Sequence, residues 1–222
     1  MKRGFGAAAL LFLIFTGAGI AAEPPAPFKI IEITGHAEIL YPGEGRWKPL
    51  TRLASLRRGC KIRTKAESSV QLALDPEYIS MAKLPENSRL DISLGRLPGL
   101  VLQKGGLFVV RENEGSGFSK KEPIRLFTPK QMIVLEEGGL ELEASSAATR
   151  IKVFSQKAAV YDWIGHESSN PRVIEEGFKF YSDASGIQWT TQRLSYGDYS
   201  GWKTWITQFY KHQDAASQGK TL

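Results

Sequence analysis

Cysteine, histidine and methionine are scarce in this chain of 222 residues, at one, three and three copies. With Cys60 alone, no intrachain disulfide can form, so packing and hydrogen bonds must hold the fold. Cys60 stands between Gly59 and Lys61 at the start of a strand-like segment. A lone thiol in an oxidising compartment is usually buried and inert, although the neighbouring Arg57, Arg58 and Lys61 have the sign that lowers a thiol pKa. His36, His166 and His212 are scattered, and none has a second His, Cys or carboxylate at ligand spacing, so no metal site is expected. Catalytic signatures are also missing: there is no Gly-x-Ser-x-Gly elbow and no phosphate loop. Ser80-Met81-Ala82-Lys83 has Ser-x-x-Lys spacing but lies in a strand pattern, where i and i+3 face opposite ways, and its companion motifs are absent. The acids Asp75, Glu77 and Asp91 show no spacing suited to paired acid–base work. No catalytic residue, metal or cofactor is expected, and the chain reads as a non-enzyme.

Long apolar runs are lacking after residue 22. The first 22 residues combine Lys2 and Arg3, an apolar run densest at Leu10-Leu11-Phe12-Leu13-Ile14-Phe15, and the small residues Gly17-Ala18-Gly19-Ile20-Ala21-Ala22. That order describes an export signal cut after Ala21 or Ala22. An uncleaved anchor is the competing reading, since the run is near the lower end of the roughly 17–25 residues that span a bilayer. No cysteine lies near the cut, which excludes a lipid-anchored N-terminus. A periplasmic or secreted domain is expected, with residues 23–29 an extended linker because of Pro24, Pro25 and Pro27. Removal of Lys2 and Arg3 leaves a net charge of +4, mildly basic and compatible with anionic lipids or wall polymers.

Helical periodicity is missing from Phe28 to about Val160, and alternation takes its place. Gly35-His36-Ala37-Glu38-Ile39, Ser69-Val70-Gln71-Leu72-Ala73-Leu74 and Ser88-Arg89-Leu90-Asp91-Ile92 each open on Gly or Ser and continue apolar-x-apolar. Gly106-Leu107-Phe108-Val109-Val110, Gly139-Leu140-Glu141-Leu142 and Thr149-Arg150-Ile151-Lys152-Val153 repeat the pattern. Period two with Gly/Pro turn clusters between the segments predicts many short strands and an all-β domain, packed as a solenoid or a twisted sandwich. Residues 113–121 read as a long loop. Residues 164–212 are expected to hold two strands, at 172–181 and 187–191, then one helix, with 213–222 a frayed tail. Tyr199, Trp202, Trp205, Ile206, Phe209 and Tyr210 share one helix face, opposite Lys203, Thr207, Gln208 and Lys211. Asp198 or Ser200 is the expected cap. The face of Trp202, Trp205, Ile206 and Phe209 either binds a partner or caps the open end of the β domain, and capping is favoured.

Acids are absent between Gly45 and Ala66, where eight basic residues occur: Arg46, Lys48, Arg52, Arg57, Arg58, Lys61, Arg63 and Lys65. Such a run forms either a patch for an anionic partner or a solvated edge that blocks sheet-to-sheet association. Nucleic acid is not the expected partner, because export removes the chain from it and no stacked-aromatic module accompanies the patch.

In their order, several landmarks resemble the FecR-like domain family. These are Gly35-His36-Ala37-Glu38-Ile39, Trp47-Lys48-Pro49-Leu50 and Leu56-Arg57-Arg58-Gly59-Cys60-Lys61-Ile62-Arg63-Thr64, then Tyr78-Ile79-Ser80-Met81, Ser88 to Ile92, Gly106 to Val110 and Phe127-Thr128-Pro129. The likeness covers residues 30–163. Cys60 stands where the family carries Asp, and Gly138-Gly139-Leu140-Glu141-Leu142 fits the family's later strand only loosely. The resemblance implies an exported β-rich domain. Sigma-regulating members carry a cytoplasmic segment and a membrane span ahead of this domain, and the export signal occupies that place here, which argues against direct sigma-factor regulation. The expected function is a non-catalytic binding or scaffold module of the bacterial envelope, contacting another protein or an anionic wall or lipid component. A periplasmic role in FecR-type sensing is the alternative, and an envelope hydrolase the remote one.

Overall fold

The computed structural model describes residues 28–76, 78–93, 99–112, 122–164, 167–168, 170–183 and 189–217. The expected export signal, the loop at 113–121, His166 and Glu77 lie outside the described residues.

Alternation becomes sixteen strands among the described residues, arranged in two facing sheets. The first sheet runs β1 (Lys29–Thr34), β5 (Ser69–Ala73), β6 (Ser80–Leu84), the second half of β8 (Leu100–Arg111) and β11 (Gly138–Ala144). It continues through the first half of β12 (Thr149–Ile164), β15 (Phe178–Ser182) and β16 (Trp189–Arg193). The second sheet runs β3 (Lys48–Pro49), β2 (Ala37–Leu40), β4 (Lys61–Thr64), β7 (Arg89–Ile92) and the first half of β8. From there it passes through β9 (Ile124–Phe127), β10 (Gln131–Leu135), the second half of β12 and β14 (Arg172–Glu175). The short β13 (Glu167–Ser168) extends the end of β12.

The long strands β8 and β12 each bend from one sheet into the other. The circuit β8–β9–β10–β12–β11–β8 therefore closes, and a closed barrel forms the centre of the molecule. Only β8 with β9 is parallel among these pairings. Parallel stacking of rungs would make a solenoid, so the antiparallel ladders decide for the sandwich-like packing. Leu72, Leu84, Leu90, Leu102, Leu142 and Ile151 fill the space between the sheets and are fully buried. Each such side chain contributes about 1.5–3 kcal/mol relative to leaving it in water.

The recurrent Gly or Ser at the head of each apolar-x-apolar segment marks the corner where the chain changes sheet. Gly35, Glu67, Asn87 and Gly105 all have positive φ, at 68°, 53°, 55° and 86°. They sit side by side, and the serines that follow Glu67 and Asn87 tie the row together. Ser68 Oγ accepts from His36 N at 2.8 Å and Ser88 Oγ accepts from Gly106 N at 2.9 Å. Gly105 is required by space as well as φ, because a Cβ there would lie 2.3 Å from Ser88 Oγ and 2.6 Å from Ser88 Cα. A second row, Gly138, Gln156 and Gly177, turns the chain at the opposite end of the first sheet. Gly177 divides the single strand expected at 172–181 into β14 and β15, which pair with different halves of β12.

A 3₁₀ turn (Tyr196–Tyr199) leads into helix α1 (Ser200–Ser217), which continues past the expected start of the tail at residue 213. The 3₁₀ turn has its own cap at Ser195, and the expected Asp198 is its capping partner. Asp198 Oδ2 accepts from Ser195 N at 2.8 Å and Ser195 Oγ at 2.7 Å, so Asp198 closes the entry turn with Ser195.

Candidate functional site

The helix face accounts for its own residues. Trp202, Trp205 and Phe209 are buried, Ile206 is half-buried, and Lys203, Thr207 and Gln208 face solvent. They cover Ile31, Ala73, Met81, Val110 and Phe154, on the outer surface of the first sheet. Phe154 stacks on Trp202 with ring centroids 4.7 Å apart, and Trp205 meets Phe108 at 5.7 Å. The expected capping of an open end is thus corrected: α1 lies across a sheet face. That second cover explains why β5 and β6 are buried on both faces instead of alternating. Lys152, with Glu141 at 2.8 Å and Asp198 at 3.7 Å, links the sheet to the helix entry, and Lys179 meets Asp198 at 3.1 Å.

The basic run divides into three locations. In β4, Ile62 and Thr64 take the inward phase, which sends Lys61 and Arg63 outward, followed by Lys65 beyond the strand end. The outer face of the second sheet collects these three together with Arg89 from β7, while Lys48 in β3 stands opposite the inward Ile39 and so takes the other phase. Acids distant in sequence join them: Glu38 lies 2.5 Å from Arg63 and 3.1 Å from Lys65, and Asp91 lies 4.0 Å from Lys61. Hydrogen bonds from Arg63 and then Lys65 hold the Glu38 carboxyl below its ordinary range. The guanidiniums of Arg63 and Arg89 lie 4.2 Å and 5.8 Å from the Trp47 ring. Lys48 pairs with Glu44 at 2.8 Å, and with Arg57 it flanks the Tyr41 ring at 5.7 Å and 5.5 Å. Arg46 and Arg52 are exposed on the adjoining loops. Arg58 alone turns to the end of the barrel, where it lines a cavity.

That cavity, about 260 Å³, was not foreseen from the sequence. It opens where the ends of β5, β6 and β8 in the first sheet part from the ends of β7, β8 and β9 in the second. Phe28, Leu74, Ile92, Leu100 and Ile124 give it an apolar wall, and Arg111 closes one side. The signal for Arg111 was present in Leu107-x-Val109-x-Arg111, an inward phase that ends on a charge.

The remaining candidates are placed as follows. Cys60 is fully buried in the core, and burial pushes its thiol pKa up, so the basic neighbours do not activate it. Ser80 and Lys83 sit in β6 three positions apart, on opposite faces. Asp75 accepts from the backbone N–H of Ile79 and Ser80 at 2.9 and 2.8 Å, which commits its carboxylate to holding a turn. His36 is exposed at the corner row. Among the described residues no cluster of three or more His, Cys, Asp or Glu could hold a metal, and no helix is long and apolar enough to cross a membrane.

No family model matches the chain, and no curated protein matches it. Two crystal structures, each of a candidate anti-sigma factor from Parabacteroides distasonis ATCC 8503, are similar to it, both at 12% identity. The first, at 1.65 Å resolution, has a TM-score of 0.49 and covers 64% of this chain and 63% of that one. The second, at 2.50 Å, has a TM-score of 0.37 and covers 63% and 57%. The chain therefore spans less than two thirds of the length of either.

Proposed function

We propose that this chain is an exported, non-catalytic binding module of the cell envelope that meets an anionic surface with the outer face of its second sheet. The observation that carries this reading is the convergence of Lys61, Arg63, Lys65 and Arg89 on that one face, opposed there by Glu38 and Asp91 among the described residues that pair with them. Arg46, Arg52 and Arg57 extend the positive area onto the flanking loops. Charges so arranged attract an anionic surface over a Debye length. The FecR-like resemblance and the export signal support the same placement.

The test is co-sedimentation of the chain from Glu23 onward with vesicles. Binding is expected to phosphatidylglycerol-containing vesicles and not to neutral phosphatidylcholine, and it should weaken between about 0.05 and about 0.5 M salt. The triple change Lys61→Glu, Arg63→Glu and Lys65→Glu should abolish it. Equal binding to neutral vesicles, or none to vesicles and to purified anionic wall polymer alike, defeats the proposal.

A further inference from the structure

Arg111 is the anomaly of the barrel interior. It follows Leu107 and Val109 on the inward phase of β8 and is only 9% exposed. A guanidinium keeps its proton under all ordinary conditions, so burial cannot be relieved by neutralisation. Taking such a charge out of water costs several kcal/mol unless a counter-charge meets it. Among the described residues, Arg111 meets only the backbone carbonyl of Glu122, through Nη1. Five donors fan out from a guanidinium, and that carbonyl engages one of its nitrogens.

The acids that line the same cavity among the described residues are otherwise engaged. Asp75 gives its two oxygens to the backbone N–H groups of Ile79 and Ser80. Glu122 has a side chain 80% exposed and lies 3.4 Å from Arg125. The lining thus sets Arg111 against an apolar wall, with no carboxylate among the described residues paired to it. At about 30 Å³ for a water-sized group, the space admits roughly eight or nine carbon-sized groups. A cavity of this kind, apolar with one buried cationic anchor, selects a ligand with an apolar stem and an anionic head.

We infer that the cavity between the sheet ends binds a medium-chain carboxylate, its head on Arg111 and its alkyl stem against Leu74, Ile92, Leu100 and Ile124. This site lies apart from the basic outer face and does not depend on that face contacting an envelope surface.

The test is a set of ¹H–¹⁵N titrations of the chain from Glu23 onward with octanoate, 1-octanol and octylamine, which share a stem and differ in the head. Octanoate should shift the amides of Ser80, Ser93 and Gly99, which line the cavity, and bind at least about tenfold more tightly than octanol, the margin of a charge-assisted over a neutral hydrogen bond. Octylamine should leave those amides in place. In Arg111→Gln, octanoate should fall to the level of octanol while octanol itself is unchanged. Should that variant fail to fold, the three-ligand series in the unaltered chain decides alone. Octanoate no tighter than octanol, or shifts confined to residues of the outer basic face, overturns the assignment.

Discussion

Trp202 closes on Gly139: a Cβ added to that glycine would stand 2.0 Å from Cη2 and 2.4 Å from Cζ2 of the indole. The ring cannot yield easily, because Phe154 stacks on it at 4.7 Å and Trp205 abuts it edge-on at 5.5 Å. Gly139→Ala should therefore cost about 1–3 kcal/mol by overpacking. Trp202→Ala should cost about 3–5 kcal/mol by emptying the space beneath α1. In the double variant the two costs should fall well short of their sum, since the alanine methyl then enters the room left by the indole. Urea denaturation of the three variants measures this. Additive costs, or a Trp202→Ala protein with unchanged stability, would falsify the docking of α1 through this pair.

Many of the strands and the helix face were legible in the sequence because burial on one side imposes a period, and period is visible residue by residue. The same logic stops where an element has two neighbours. Only the segments 106–110 and 149–153 of β8 and β12 could be read, since each strand changes sheet at Gly105 or Gln156 and its phase changes owner there. Apolar residues on one helix face establish that the face is covered without saying by what. The clue lay in Val70-Gln71-Leu72-Ala73 and Met81-Ala82, where alternation weakens because both sides of the first sheet are covered. The basic run was read without its acids because Glu38 and Asp91 reach it only through strand register. Arg111 was overlooked for a similar reason: nothing local says that the inward phase of β8 ends in a cavity.

The corner row gives a test that separates space from φ. Gly105→Ala meets the backbone of Ser88 at a φ of 86°, so it should destabilise by about 2 kcal/mol or more. Asn87→Gly places a glycine where φ is already 55°, and should stay within about 1 kcal/mol of the unaltered chain, because relief of left-handed strain offsets the added freedom of the unfolded state. Thermal or urea denaturation compares the pair. Similar losses in both would mean that the corners are held by side-chain contacts and not by backbone conformation.

Acid sensitivity should trace to the helix entry. The Ser195 hydroxyl, with help from the Ser195 N–H and Lys179, holds the Asp198 carboxyl well below its ordinary 3.8. A carboxyl that binds its proton less readily when folded stabilises the fold above the unfolded-chain pKa, and that contribution is lost as pH falls through 3.8 and below. Glu141 works in the other direction, because burial raises it above 4.5, so its charge opposes folding at neutral pH and protonation relieves the cost. Stability should hold or rise slightly as pH approaches the raised Glu141 range, then drop below the ordinary Asp range. Asp198→Asn should lower stability at about pH 7 and flatten the fall between about pH 4 and about pH 2. Urea midpoints across that range check it; an acid limb as steep in Asp198→Asn as in the unaltered chain removes Asp198 from the explanation.

The last prediction concerns how like charges are kept together on the outer face. Arg63 and Arg89 stand directly opposite in the β4–β7 register, a placement that costs stability when nothing lies between them. The Trp47 ring lies against both guanidiniums, at 4.2 and 5.8 Å, while Glu38 and Asp91 stand on the flanks. The interaction is partly exposed, so it should contribute only about 0.5–1 kcal/mol to the fold. Its larger effect is positional, since the ring fixes two long side chains in a single orientation and keeps the positive area from spreading. Trp47→Ala should therefore leave stability nearly unchanged and weaken attachment to anionic vesicles several-fold, with Trp47→Phe intermediate because a smaller ring still presents a π face. Vesicle co-sedimentation alongside urea denaturation reads the two effects separately. Loss of stability without loss of attachment would assign Trp47 to the fold alone and leave the positive face without its organiser.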